Sequence, residues 1–136
     1  MNKHQKVAVI VWTIDPEGIK RFLLRHNKPF NGYDDEWTVI FGDIEIGESL
    51  EDTAKREASE EFRISNFEQI NDLNYTTEFE GKHGLTEVHF VALKVLDINT
   101  QIVLNEESIG YDWMLIDQVK GVMKNDDEKQ AFDLIK

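Results

Sequence analysis

The chain contains no cysteine. A disulfide framework is therefore excluded, and nothing in the composition asks for an oxidising compartment. Base is also scarce: 15 Lys and Arg against 27 Asp and Glu leave a formal charge of −12 over 136 residues. That balance argues against duplex nucleic acid as the main partner, since such partners need a basic face. Long apolar runs are missing too. The N-terminal stretch MNKHQKVAVIVW holds an apolar run of only a few residues, too short for a membrane span and without a signal-peptide cleavage pattern. There is no internal repeat, no low-complexity stretch and no linker rich in Pro, Gly or Ser. These absences lead to the expectation of one domain over residues 1–136, cytoplasmic, with no membrane partner.

What is present is acid, unevenly placed. Residues 42–64 carry eight acidic against three basic residues, so this stretch accounts for −5 of the charge. Surface solubility does not require such clustering. An acidic site can bind phosphates when divalent cations lie between the two, because the ion's charge dominates the local field.

The pattern along the chain is mixed. VAVIVWTI (7–14) is apolar on both alternating faces and rich in β-branched residues, as in a central strand. DPEG (15–18) has turn chemistry, and IKRFLLRH (19–26) reads as the returning strand. A polar loop over 27–36 leads to a short strand, WTVIF (37–41), and a second loop, 42–48. Ser49 is a good N-cap with Asp52 three residues on, which predicts a helix from about 50 to 62 with Leu50, Ala54, Ala58 and Phe62 on its apolar stripe. NYTTEF (74–79) and LTEVHFVALKVL (85–96) predict a hairpin across GKHG. QIVL (101–104) and YDWMLI (111–116) read as short strands, and 125–136 as a helix with Ala131, Leu134 and Ile135 inward. Strands mixed with two helices predict an α/β fold with helices on both sides of a mixed sheet.

Within the central helix, REASEEFRI (56–64) sets Glu57, Glu60 and Glu61 three and four residues apart. Such residues are neighbours on a helix face, where like charges repel. Hard divalent cations favour carboxylate oxygens, often with substrate phosphates completing the shell, so a bound ion would relieve the repulsion. Arg56 can pair with Glu60 at i,i+4, Gly42 allows close backbone approach and could offer its carbonyl, and Glu48 could hold the loop through Arg56. A lone ExxEE is usually a solvated helix face; it is the added Gly42, Glu48 and Arg56 at their spacings that favour a site.

G42-x5-E48-x7-R56-E57-x2-E60-E61 resembles the Nudix box, the 23-residue loop–helix motif of Nudix hydrolases, and residues 42–64 span it fully. The flanking strand order is similar to the family's α/β/α sandwich with a mixed central sheet. The resemblance implies Mg²⁺-dependent hydrolysis, with Mn²⁺ as the alternative ion, of a nucleoside diphosphate linked to another group. It implies metal ligation by Glu60, Glu61, the Gly42 carbonyl and Glu57, the last as ligand or general base. Arg56, Glu57 and Glu60 form the expected catalytic group, with Glu48 supporting Arg56 from behind. A later loop carboxylate often adds a ligand; in NEESIGYDW it is matched by Glu107, six before Trp113, with Glu106 as the near alternative. Arg25 is a candidate phosphate contact and Tyr33 a candidate for the base pocket. Lys28, Lys82 and His83 are weaker candidates, and Trp37 is expected to be structural.

Two departures stand out. Arg63 occupies a position where the family usually has the glycine that ends the helix, and Ile40-Phe41 replace a common Pro-Gly before Gly42. A non-glycine residue at positive φ would cost roughly 1 kcal/mol, so the helix is free to end differently. W37-TVIFG, TEVHF and IVLNEE…YDW resemble the branch that cleaves dATP and dihydroneopterin triphosphate to monophosphate and pyrophosphate; diadenosine polyphosphate hydrolases have a related layout. Rival readings are a nucleotide-binding regulatory module without turnover and an acidic Ca²⁺-binding domain, the latter opposed by the absence of an EF-hand loop. The expected ligand is a small nucleotide. Dimers are frequent in the family, so a homodimer is among the arrangements the resemblance allows.

Overall fold

β1, His4–Ile14, carries the apolar run predicted to be a central strand, and its residues 7–13 are all buried. The structure is a computed structural model that describes residues 3–28 and 36–136. Asp15 closes the turn after β1: its carboxylate accepts from the backbone N–H of Glu17 and Ile19, both at 2.9 Å, and from Arg21 Nε at 2.9 Å. β2, Lys20–Asn27, then returns antiparallel to β1. The predicted strand 37–41 is two strands, β3 (Glu36–Thr38) and β4 (Ile40–Asp43), because the chain changes neighbours at Val39: β3 pairs with β2 and β4 with β1. α1 spans Leu50–Phe62. β5 (Gln69–Gly81) and β6 (Gly84–Lys94) form the hairpin, and β7 (Ser108–Met114) lies on β2. Two short helices follow, α2 (Ile116–Val122) and α3 (Asp126–Phe132).

The seven strands make one mixed sheet. Its main path is β3-β2-β1-β6-β5, with β4 also on β1 and β7 also on β2. Among the described residues only β1 and β6 run parallel. One edge of β1 is shared: residues 6–9 pair with β4 and residues 11–14 with β2. Alternation along β1 builds the layers. Val7, Val9 and Val11 pack with Ala54, Ala58 and Phe62 of α1, whereas Ala8, Ile10 and Trp12 pack with Val119, Ala131 and Phe132 from α2 and α3. The predicted α/β/α sandwich is thus the fold observed.

Several expectations are corrected. β5 begins at Gln69, five residues earlier than predicted. Residues 101–104 form no strand; Val103 N–H instead donates to Phe62 O at 3.0 Å, tying this segment to the end of α1. The strand read at 111–116 stops at Met114. Leu115 caps α2, which the sequence reading missed, and its N–H donates to Gln118 Oε1 at 2.8 Å. The helix predicted over 125–136 ends at Phe132, because the chain turns at residues 133–134; Ala131 within it and Ile135 beyond it are inward as predicted. Phe132 is buried beside them, and Leu134, past the helix end, is exposed. No helix among the described residues is long and apolar enough to cross a membrane.

Candidate active site

α1 starts where Ser49 and Asp52 cap it reciprocally: Asp52 N–H donates to Ser49 Oγ at 3.1 Å and Ser49 N–H to Asp52 Oδ2 at 3.4 Å. It ends at Arg63, which adopts the left-handed conformation (φ 58°, ψ 36°) and donates its N–H to Ser59 O at 3.0 Å. Arg63 therefore takes the glycine's role, and the helix does not end differently. Between these caps, Ala54, Ala58 and Phe62 face the sheet, and Thr53 and Glu57 are buried with them.

Gly42 is what makes room for Glu57. A Cβ on Gly42 would lie 2.1 Å from Glu57 Cδ, a distance no side-chain carbon tolerates. β4 thus presents bare backbone where α1 delivers its carboxyl. Burial pushes the Glu57 carboxyl upward in pKa; Arg56 opposes this, while the charges of Glu60 and Glu61 add to it.

Arg56 is the hub. Its Nε donates to Glu48 Oε2 at 2.9 Å and Nη2 to Glu48 Oε1 at 3.1 Å, a bidentate fork. Nη1 donates to Glu57 Oε1 at 2.9 Å and reaches Glu60 at 3.3 Å, and Nη2 also donates to the Asp43 carbonyl at 2.8 Å. Glu48 accepts further from Glu45 N–H and Thr53 Oγ1, both at 3.0 Å. The Arg56 fork, with these bonds, holds its carboxyl down at about 2. The same pairing, led by Glu48, raises the pKa of Arg56 further above its ordinary value. One guanidinium thus fastens the loop, the helix and two of the three helix carboxylates.

Glu61 is held separately. Arg25 Nη1 donates to its Oε2 at 2.6 Å, and Asn105 Nδ2 to the same oxygen at 2.5 Å. The pair is shielded, with Arg25 and Glu61 side chains 10% and 14% exposed. Asn105 is not among the residues the sequence singles out, which there are its two acidic neighbours; an asparagine in a loop carries little signal, and only the path of the chain after α1 brings it here. Asn105 Oδ1 also accepts the Glu107 N–H at 3.1 Å.

The predicted residues thus fall into three groups. Glu48, Arg56, Glu57 and Glu60 meet around Gly42, and Glu61 joins Arg25 nearby. Glu106 and Glu107 are exposed on the loop after Asn105, with no side-chain bond to the helix carboxylates among the described residues. Tyr33 lies outside the described residues. Trp37 is structural as expected: it stacks on His26, with ring centroids 4.5 Å apart, and packs on the core.

The donor set suits a hard divalent cation. It offers carboxylate oxygens from one rigid helix, beside backbone that approaches without a side chain. No three acidic or histidine side chains among the described residues converge as a preformed cage, because the two guanidinium groups hold the carboxylates.

The sequence model of the NUDIX domain matches residues 4–135. An Edwardsiella ictaluri protein named NAD-capped RNA hydrolase NudC is 44% identical over 55 residues, which cover 40% of this chain and 19% of that protein. The match therefore spans about a fifth of that relative's length. Among solved structures, the E. coli dihydroneopterin triphosphate pyrophosphohydrolase superposes with a TM-score of 0.78 at 22% identity, covering 99% of this chain and 97% of that one. A C. elegans Ap4A hydrolase superposes with a TM-score of 0.78 at 19% identity, covering 96% and 93%. At these identities the superpositions bear on fold.

Proposed function

This chain belongs to the NUDIX domain family, and from that premise we propose that it is a hydrolase of phosphoric anhydride bonds, working as one domain on a nucleoside triphosphate or a similar small nucleotide and releasing pyrophosphate. The observation that carries the reading is the Arg56 hub, which joins Glu48, Glu57 and Glu60 over the bare backbone of Gly42.

Glu57, Glu60, Glu61 and the Gly42 carbonyl would hold Mg²⁺ or Mn²⁺, with Glu107, or alternatively Glu106, added from the later loop. A bound ion of this kind neutralises phosphate charge and acidifies water. The protein's own part is positional and acid–base. Water attacks one phosphorus of the Pα–O–Pβ link, the bond from that phosphorus to the bridging oxygen breaks to separate nucleoside monophosphate from pyrophosphate, and the water's proton passes to a carboxylate. Glu57 is suited to take it. Its burial raises its proton affinity, its Oε1 is pinned by Arg56, and its Oε2 has no hydrogen-bond partner among the described residues. Glu48 keeps Arg56 from turning away, and Arg25 supplies positive charge at the same edge.

The test is phosphate and pyrophosphate release, with and without Mg²⁺, from common NTPs and dNTPs, 8-oxo-dGTP, dihydroneopterin triphosphate, ADP-ribose, a nucleotide sugar, diadenosine tetraphosphate and NAD. Mg²⁺-dependent release that falls by orders of magnitude in Glu60→Gln and Glu61→Gln, with the fold intact by circular dichroism, supports the reading. Near-wild-type activity in both variants overturns the metal assignment. Tight nucleotide binding without turnover favours the regulatory module.

A further inference from the structure

Arg25 and Arg56 hold their carboxylates differently. Arg56 grips Glu48 through two parallel bonds and adds Glu57 and a carbonyl. Arg25 grips Glu61 through Nη1 alone, and its buried Nε has no partner among the described residues. A forked, fully used guanidinium is a fixture; one held by a single bond, with a donor left over, is poised to change partners. The backbone of Arg25 does not move to allow this, because it is paired on both sides, with Thr38 of β3 and Tyr111 of β7. Only the side chain is free to shift.

The position of the contact matters. Arg25 and Asn105 both donate to Glu61 Oε2, within 2.6 Å. That oxygen already accepts two bonds, one from a cation, whereas Oε1 has no hydrogen-bond partner among the described residues, so a divalent ion would reach Glu61 at Oε1 and share the carboxylate's charge with Arg25. The charge balance is equally direct. Five carboxylates, Glu45, Glu48, Glu57, Glu60 and Glu61, face two guanidinium groups, an excess of negative charge that a divalent ion reduces.

We propose that Arg25 is a positioning residue that acts as a resident counter-ion for Glu61, competing with a divalent cation for that carboxylate while no substrate is bound. An incoming phosphate offers the Arg25 guanidinium a second anion, and Glu61 is then released to the metal. The inference rests on the hydrolase reading above and adds an order of events to it.

The experiment is Mn²⁺ titration of the substrate-free protein, reading free Mn²⁺ by electron paramagnetic resonance. Wild type, Arg25→Gln, Arg25→Lys, Glu60→Gln and Glu61→Gln are compared. Removing the resident charge makes Arg25→Gln bind Mn²⁺ about tenfold tighter or more, whereas Arg25→Lys, which keeps the charge, stays within about threefold of wild type. Because Arg25 already holds Glu61, Glu61→Gln weakens Mn²⁺ binding clearly less than Glu60→Gln, which weakens it by about tenfold or more. The Glu61 comparison stands even where Arg25→Gln does not fold. A loss in Glu61→Gln as large as in Glu60→Gln, or unchanged or weaker binding in folded Arg25→Gln, overturns the inference and leaves the hydrolase reading standing. Failure of the wild type to bind Mn²⁺ overturns both.

Discussion

Gly42 and Glu57 occupy one volume between them: a methyl group on Gly42 would sit 2.1 Å from the Glu57 carboxyl carbon. The glycine serves the helix residue that packs on it, and no positive φ is involved. Gly42→Ala must therefore push Glu57 out of its seat or open the contact between β4 and α1. Overpacking of this kind costs about 1–3 kcal/mol. Misplacement of a catalytic carboxylate by an ångström lowers turnover by roughly a hundredfold. Gly121→Ala, where an added Cβ meets nothing within 4 Å, serves as the control. Urea titration and steady-state kinetics on both variants check the prediction, and wild-type turnover in Gly42→Ala would remove the packing argument.

Arg63 terminates α1 in a conformation that costs an L-residue energy. Arg63→Gly relieves that strain but gives the unfolded chain more freedom, so the net gain expected is about 0.5–1 kcal/mol. It appears as a higher urea midpoint at unchanged slope. A lower midpoint would mean that the Arg63 side chain contributes more than its backbone costs.

The parts of this molecule legible in its sequence are those where local chemistry and tertiary packing agree. β1 reads as central because its seven buried residues are consecutive. α1 matches its predicted span because a capping box and an apolar stripe both mark it. The Arg56 hub is legible because its partners Glu48, Glu57 and Glu60 lie within one loop and helix. Partners distant in the chain were harder to read. Arg25 was only one cation among several candidates, and Asn105 reaches Glu61 across 44 residues through a segment whose β-branched run imitates a strand. That run failed as a strand because the end of α1 claims its backbone. α2 was missed because Leu115 stands at its N-cap without a side-chain cap bond, whereas α3, equally short, is marked by Asn125 and the acids after it.

Glu128 predicts the pH dependence of stability. Burial in the first turn of α3, with Glu36 and Asp127 nearby, pushes its carboxyl up to about 7 from an ordinary 4.5. The folded protein thus holds this proton more tightly than the unfolded chain. Below about pH 4.5 both states are protonated and nothing is lost; as pH rises towards 7 the unfolded chain ionises first, and stability falls. Allowing for partial exposure, the loss is roughly 1–3 kcal/mol. Glu128→Gln abolishes this slope and is the more stable protein at pH 8. Thermal melts from pH 5 to 8 decide the matter: parallel curves for the two proteins would show that Glu128 ionises normally.

Asn105 gives the sharpest test of how the loop after α1 serves the site. Its amide donates to Glu61 while its Oδ1 accepts the backbone N–H of Glu107, so a single side chain fixes both a helix carboxylate and the loop that carries the two later acids. Asn105→Ala removes both bonds and leaves Arg25 on Glu61; turnover should fall by about tenfold, with a stability loss of about 1 kcal/mol. Asn105→Asp preserves the bond to Glu107 and places a carboxylate against Glu61 Oε2. Two carboxylates at hydrogen-bond distance cannot both ionise without a cation between them, so one holds a proton to higher pH. The Asp variant should therefore be less active than the Ala variant at pH 7, although it is the closer mimic in shape, and should recover part of its activity as pH rises. Equal pH profiles in the two variants would mean that Asn105 acts on the loop alone and that its bond to Glu61 has no part in turnover.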